Sequence, residues 1–310
     1  MDFKGIFAAS VTPFDHDGEA IRYNELAQLF ADLKRAGVAG MVCNAHAGEG
    51  ELLSREEKVE VLRLARRVLG SDYPIVAGVE SLSTRELVEQ VKDAREASAD
   101  AVMLCAPPLF AWHADRQPEF GIAQIRGVAA AVDDIPIVLF QYSANNPFYY
   151  RPEVLVRICR EIPQVKAIKM ATNSDVARYE EEVRAVRTVA RKVALLPANG
   201  LTFYYSFQLN PDGALSGSAN FLPEHDVEMF EAVRRGDLSR AKELHDQVYP
   251  IFRLVYRDPY VYLHIRYKYC TWLLGKISSP AVRSPLVPLP EEEATALREG
   301  LVACGVKPVR

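Results

Sequence analysis

Val165-Lys-Ala-Ile-Lys-Met-Ala-Thr172 is a short apolar run that carries a lysine at position 169. Residues 165–168 read as a buried strand, because the alternation of a half-exposed strand is absent and β-branched residues flank the run. A lysine ending such a strand is costly to bury as an ammonium, so its pKa should fall and its neutral amine become available. A neutral lysine amine attacks a ketone to give a Schiff base, which then acts as an electron sink. Lysines at strand ends are more often solvated or paired, so the reading depends on the rest of the chain.

Working outward, similar apolar runs occupy residues 6–11, 40–43, 75–77, 101–105, 135–140, 193–196 and 214–215. Amphipathic stretches separate them, with apolar spacing near 3.6 over 25–36, 59–69, 87–97 and 122–131. Ser54-Arg-Glu-Glu57 and Ser83-Thr-Arg-Glu86 are Ser-x-x-Glu capping boxes ahead of two of these helices. Eight strands spaced mostly about 20 to 35 residues apart predict an α/β fold, the TIM (β/α)8 barrel. A doubly wound open sheet uses the same units, but the eighth strand and the missing Gly-x-Gly-x-x-Gly fingerprint count against it. After Phe221 the pattern changes. Residues 224–274 read as helices broken at 236–239 and 257–259, 277–290 as a proline-punctuated connector, and 291–303 as a last helix. The expected organisation is a barrel over 1–223 with C-terminal helices, 224–310, packed on it.

At 310 residues, 49% hydrophobic and 25% charged, the composition is that of a soluble globular protein with a large core. A net charge of −4 argues against nucleic acid or an anionic membrane as partner, since both need a basic face. No apolar run approaches the roughly 18 residues of a membrane span, and the first residues lack a signal-peptide pattern. The five cysteines (43, 105, 159, 270 and 304) are scattered without a Cys-x-x-Cys pair, which suggests reduced thiols and a cytoplasmic location. The six histidines form no His-x-x-x-His pair and no cysteine set assists them, so neither a metal nor another cofactor is expected.

Barrel active sites lie at the C-terminal ends of the strands. After the second strand comes Asn44-Ala-His-Ala-Gly-Glu-Gly50, where small residues let consecutive backbone N–H groups converge on a carboxylate, or make an ordinary turn. His46 in that loop is a candidate proton carrier near neutral pH, although a solvated loop histidine is the commoner case. Ala106-Pro-Pro-Leu-Phe-Ala-Trp112 and Leu139-Phe-Gln-Tyr-Ser-Ala-Asn145 offer Leu109, Phe110, Trp112, Phe140 and Tyr142 as an aromatic rim, or as core and subunit contacts. Tyr142, the phenol near a strand end, is a second candidate for passing protons to or from an imine intermediate. Gly213-Ala-Leu-Ser-Gly-Ser-Ala-Asn220 closes the barrel with another small-residue segment. No Ser-His-Asp set, P-loop or Gly-x-Ser-x-Gly elbow is present.

Gly5-Ile-Phe-Ala-Ala-Ser-Val-Thr-Pro-Phe14, the Gly48-Glu49 turn, Ala167-Ile-Lys-Met-Ala-Thr172, Gly213-Ala-Leu-Ser-Gly217 and Ile277-Ser-Ser-Pro-Ala-Val-Arg-Ser-Pro-Leu286, taken in order, resemble the successive signatures of the dihydrodipicolinate synthase / N-acetylneuraminate lyase superfamily. The resemblance implies a TIM barrel with C-terminal helices, a homotetramer or homodimer, and a metal-free lyase that works through a lysine imine. It places Lys169 on the imine-forming lysine and 45–49 on the site for the substrate carboxylate. His46, Ala47, Gly48 and Leu215 are thus the expected substrate contacts. The resemblance breaks where dihydrodipicolinate synthase itself would be diagnosed. Its Gly-Thr-Thr-Gly-Glu loop reads Ala45-His-Ala-Gly-Glu49, and its Pro-Tyr-Tyr motif falls on Pro107-Pro-Leu109. Its Tyr-Asn pair falls on Phe140-Gln141 and its dicarboxylate-binding arginine on Asn145.

The expectation is therefore a lyase for a small-molecule 2-oxo acid, divergent from that synthase, with Lys169 and Tyr142 as catalytic residues. An imine on Lys169 permits C3–C4 cleavage, the aldolase outcome favoured by an aromatic rim. It equally permits C3 deprotonation with loss of a C4 hydroxyl, as in a 2-keto-3-deoxy sugar-acid dehydratase. A non-catalytic barrel that binds a carbonyl metabolite is the reading from another class; the missing relay residues favour it and the retained lysine opposes it.

Overall fold

The computed structural model describes residues 1–172 and 174–310. Eight strands, β1 (Gly5–Ala9), β2 (Gly40–Cys43), β3 (Ile75–Val79), β4 (Ala101–Leu104), β5 (Ile137–Gln141), β6 (Val165–Met170), β7 (Ala194–Pro197) and β8 (Gly213–Ser216), pair in parallel in the order β8-β1-β2-β3-β4-β5-β6-β7. Asp212 draws the remaining seam together: its N–H donates to Leu195 O at 3.2 Å and its carboxylate accepts the Leu195 N–H at 3.0 Å. The result is a nearly closed barrel. Almost every strand residue is buried, which is why the strands read as unbroken apolar runs without alternation.

Seven helices link the strands: α1 (Tyr23–Arg35), α2 (Arg55–Leu69), α3 (Thr84–Glu96), α4 (Glu119–Ala131), α5 (Pro152–Glu161), α6 (Val176–Val186) and the short α7 (Phe203–Phe207). The Ser54 box forms completely, Ser54 Oγ accepting the Glu57 N–H and Glu57 returning a bond to the Ser54 N–H. The Ser83 box forms in one half, because the Ser83 N–H already donates to Ser81 Oγ at 3.2 Å. Two strand boundaries shift for tertiary reasons. β1 stops at Ala9 rather than at residue 11, since the Val11 N–H leaves the sheet for Asn220 Oδ1 at 3.0 Å. β6 runs on through Met170, where Lys169 lies opposite Phe140 and Leu196, and Met170 opposite Gln141 and Pro197.

Beyond β8 the chain forms α8 (Pro223–Arg234), α9 (Leu238–Val255), α10 (Leu263–Leu273) and α11 (Glu291–Ala303), with the breaks and connector near the expected positions. Helix α10 lies against the turns that follow β2 and β8. Its Tyr267 ring presses on Gly217, where a Cβ would overlap the ring, so this approach requires glycine. Lys268, one residue further on, makes a buried ion pair with Glu49. Glu49 also accepts the Arg283 N–H at 2.8 Å, and the Arg283 guanidinium grips Glu57 at 2.6 Å. The connector is thereby tied to the loop after β2. No helix among the described residues is long and apolar enough to cross a membrane.

Candidate active site

A cleft of about 690 Å³ opens over the C-terminal ends of the strands. Its inner wall holds His46, Phe140, Tyr142 and Thr172, and its opposite wall Tyr256, Tyr260, Leu263 and His264 from the C-terminal helices. Asn145, Asn146, Asp175, Arg257 and Asp258 line the rest. Lys169 sits one layer below. Its Nζ lies 4.2 Å from the centre of the Phe140 ring, and 8% of the residue reaches solvent. No carboxylate pairs with it among the described residues. Burial therefore pulls its ammonium down to about 8, opposed only by the nearby Cys105.

The loop after β2 tightens into a 3₁₀ turn at His46–Gly48, flanked by Asn44 and Glu49 in left-handed conformations (φ 57° and 56°). The Gly48 N–H donates to Ala45 O at 2.8 Å, so the turn's own bonding consumes part of the expected anion nest. The N–H groups of His46 and Ala47 precede that first bond, and no backbone bond from them is made among the described residues. Gly48 serves packing instead: a Cβ there would stand 2.8 Å from Ser10 O. Ala47 is buried, and Leu215 is wholly enclosed in β8, where it pairs with Phe7 and lines no part of the cleft. Leu215 is a core residue in this structure, because the cleft lies beyond the strand end that it occupies.

Tyr142 packs against Phe140 with ring centres 4.3 Å apart and the planes tilted by 34°. Its hydroxyl shares a hydrogen bond with the Cys105 thiol, and burial raises its pKa well above the ordinary phenol value. His46 stands 5.4 Å from Phe140 and 5.7 Å from His264, ring centre to ring centre. Its Nε2 lies 3.0 Å from Glu80 Oε2 and 3.6 Å from Cys105 Sγ. Burial lowers the His46 pKa, but Cys105 and Glu80 outweigh it and the net shift is upward. His264 shifts the other way, driven by burial and by the charges of His46 and Lys169, and stays neutral.

Two expectations are corrected. The five-membered aromatic rim is not assembled. The segment after β4 coils into a 3₁₀ turn, Pro108–Trp112, that drives Phe110 inward against Tyr150 and leaves Trp112 77% exposed; Phe140 and Tyr142 alone of the five line the cleft. The histidines are also not without cysteine help, since His46, Glu80 and Cys105 converge from the ends of three neighbouring strands. Local spacing cannot show such a set. The C-terminal wall was missed as well. Its sequence signal is a run, His264-Ile-Arg-Tyr-Lys268, that places basic side chains in a helix whose other residues are apolar. Gln141, at the position following Phe140, turns away from the cleft to bond Tyr150 O at 2.7 Å and Glu182 at 3.1 Å.

The Dihydrodipicolinate synthetase family matches residues 2–303 of the chain. The 4-hydroxy-tetrahydrodipicolinate synthase of Methanothrix thermoacetophila is 32% identical over 301 residues, covering 96% of each chain. Among solved structures, a monomeric dihydrodipicolinate synthase variant superimposes with a TM-score of 0.88 at 22% identity, covering 98% of this chain and 97% of that one. YagE, a prophage protein of E. coli K12 in complex with pyruvate, gives 0.86 at 24% identity, covering 98% and 99%. These two likenesses show the shared barrel fold.

Proposed function

Since the chain belongs to the dihydrodipicolinate synthetase family, whose members include aldolase-type lyases, we propose that it is a lyase acting on a 2-oxo acid through an imine on Lys169. The observation that carries the reading is the state of Lys169: buried, without a carboxylate, at about 8, and directly beneath the cleft. At neutral pH roughly a tenth of such an amine is uncharged. That amine attacks the substrate's C2 carbonyl, and the carbinolamine loses water to leave an iminium. With a 4-hydroxy-2-oxo acid, the C4 hydroxyl gives up its proton, the C3–C4 bond breaks, and the electron pair flows to the iminium nitrogen. An aldehyde departs. The remaining enamine takes a proton at C3, and water hydrolyses the imine to release the second 2-oxo acid.

Tyr142 is the proposed carrier of these protons. Its hydroxyl stays protonated at neutral pH, so it passes a proton through its oxygen rather than acting as a resident base. The substrate carboxylate is placed on the open N–H groups of His46 and Ala47. Asn145 stands where an arginine would hold a second carboxylate, which opposes the synthase activity named for the Methanothrix relative. The aldolase outcome is the first reading. The polar cleft lining, with Asn145, Asn146, Asp175, Arg257 and Asp258, supports a second: dehydration of a hydroxylated 2-keto-3-deoxy sugar acid. Five buried, unpaired thiols support a reducing, cytoplasmic setting. Leu82, Trp112 and Phe120, all exposed, support self-association into a dimer or tetramer.

Pyruvate in D₂O tests the half-reaction common to both outcomes. The enamine should exchange the C3 protons for deuterium, read by proton NMR, and Lys169→Met should abolish the exchange. Equal exchange by the variant would overturn the reading.

A further inference from the structure

The loops after β2, β3 and β4 each deliver one potential metal ligand to the same point: His46 from the 3₁₀ turn, Glu80 directly after Val79, and Cys105 directly after Leu104. Adjacent parallel strands lie about 4.8 Å apart, so residues at matching heights beyond their ends can converge. Their donor atoms all fall within 4.8 Å of one another, with 3.0 Å between His46 Nε2 and Glu80 Oε2 and 3.6 Å between His46 Nε2 and Cys105 Sγ. Around an ion held at about 2.0 Å by nitrogen or oxygen and about 2.3 Å by sulfur, tetrahedral ligands stand about 3.3 Å apart for an N–O pair and about 3.6 Å for an N–S pair. The two measured edges are close to those values.

Both short contacts fall on the same nitrogen, Nε2, and the Cys105 thiol also meets the Tyr142 hydroxyl. The three residues also line a small cavity with Asn44, Glu51 and Lys58, with about 10 Å³ of room, the size of one water-sized guest. Asn44 is buried there and its Oδ1 has no donor among the described residues.

We propose that His46 Nε2, Glu80 and Cys105 form a tetrahedral site for one divalent ion of the zinc class, with a water in the void as fourth ligand and Asn44 Oδ1 as acceptor for that water. Mixed nitrogen, oxygen and thiolate donors select a borderline-soft ion over magnesium or calcium. Lys169 is no ligand of this site; Cys105 also bonds Tyr142, so ion binding is read by metal retention and spectra and not by turnover.

The test is equilibrium dialysis of the chelator-stripped full chain against zinc, with elemental analysis, and cobalt substitution as a spectroscopic probe. One zinc per chain should be retained. Cobalt should show tetrahedral d–d bands and a thiolate charge-transfer band. Cys105→Ser should lose the charge-transfer band, and Cys105→Ser, Glu80→Gln and His46→Ala should each weaken binding by at least about 10–100-fold, the cost of disturbing even a supporting residue. Lys169→Met should bind as the wild type does. Should the ligand variants misfold, peptide mapping of the wild type decides: zinc should shield Cys105 from alkylation. No retained ion, affinity indifferent to all three substitutions, or an unshielded Cys105 would each overturn the proposal.

Discussion

Two lysines are buried in this barrel, each with its ammonium 4.2 Å from the centre of a phenylalanine ring: Lys169 over Phe140 and Lys268 over Phe14. Their partners differ. Lys268 is bonded to the Glu49 carboxylate and to Ala281 O, whereas among the described residues no carboxylate pairs with Lys169. Burial pulls both amines down to about 8, opposed at Lys268 by the bonded Glu49 carboxylate and at Lys169 by Cys105; what separates them is the partner, not the shift. Lys268 fastens the C-terminal helices to the loop after β2. Lys169 has no such bond and lies behind Phe140, which lines the cleft. A buried cation without a counter-ion is a liability, and the proposed imine chemistry gives a reason for keeping it.

Exchanging the two residues' roles by mutation gives the largest expected effects. Lys169→Met should reduce pyruvate proton exchange to the background rate while leaving the thermal midpoint no lower than that of the wild type, since an unpaired amine is replaced by an apolar chain. Tyr142→Phe should lower turnover by about 10²–10⁴ with the aromatic packing kept, and His46→Ala is the control. If the histidine variant loses turnover and the tyrosine variant keeps it, the carrier is His46. Lys268→Met should have the opposite signature: a stability loss of about 3–5 kcal/mol in urea unfolding, because Glu49 is left buried and uncompensated. Adding Glu49→Gln to it should restore part of that loss, and no recovery would mean that the pair is not the fastening.

Smaller effects sharpen the contrast. In chelator-treated protein, the rate of imine formation should rise about tenfold between pH 7 and pH 9 and then level. A base near 8 gains its neutral, reactive form as pH rises through that value. A rate that still climbs steeply above pH 10 would indicate an ordinary solvated lysine. Chelation itself should leave exchange unchanged, because the iminium and not a metal ion is the electron sink.

The features legible in the sequence are those set by neighbours along the chain. The Ser54 box, the unbroken apolar strands and the helix break at Gly236 each depend on a few adjacent residues, and they appear where expected. What depended on the closing of the barrel was not legible. Val11 leaves the sheet for Asn220, some two hundred residues away; His264 enters the cleft from a helix beyond the barrel; Cys105 meets His46 only because β2 and β4 flank β3. Lys169 lies between these cases. Its strand was plain, and a lysine in an apolar run was an anomaly visible without a structure, but the absence of a counter-ion had to be seen in three dimensions. Trp112 shows the opposite failure, since an aromatic beside a strand end gave no sign that its 3₁₀ turn would direct it to solvent.

Lys169 differs from the equally depressed Lys268 in having no carboxylate bonded to it among the described residues, and borohydride reduction in the presence of pyruvate, followed by peptide mapping of every lysine, tests directly whether it alone forms the imine. The expected result is a single reduced adduct on Lys169, with Lys268 and the surface lysines unlabelled. A label on any other residue, or none with any 2-oxo acid, would contradict it.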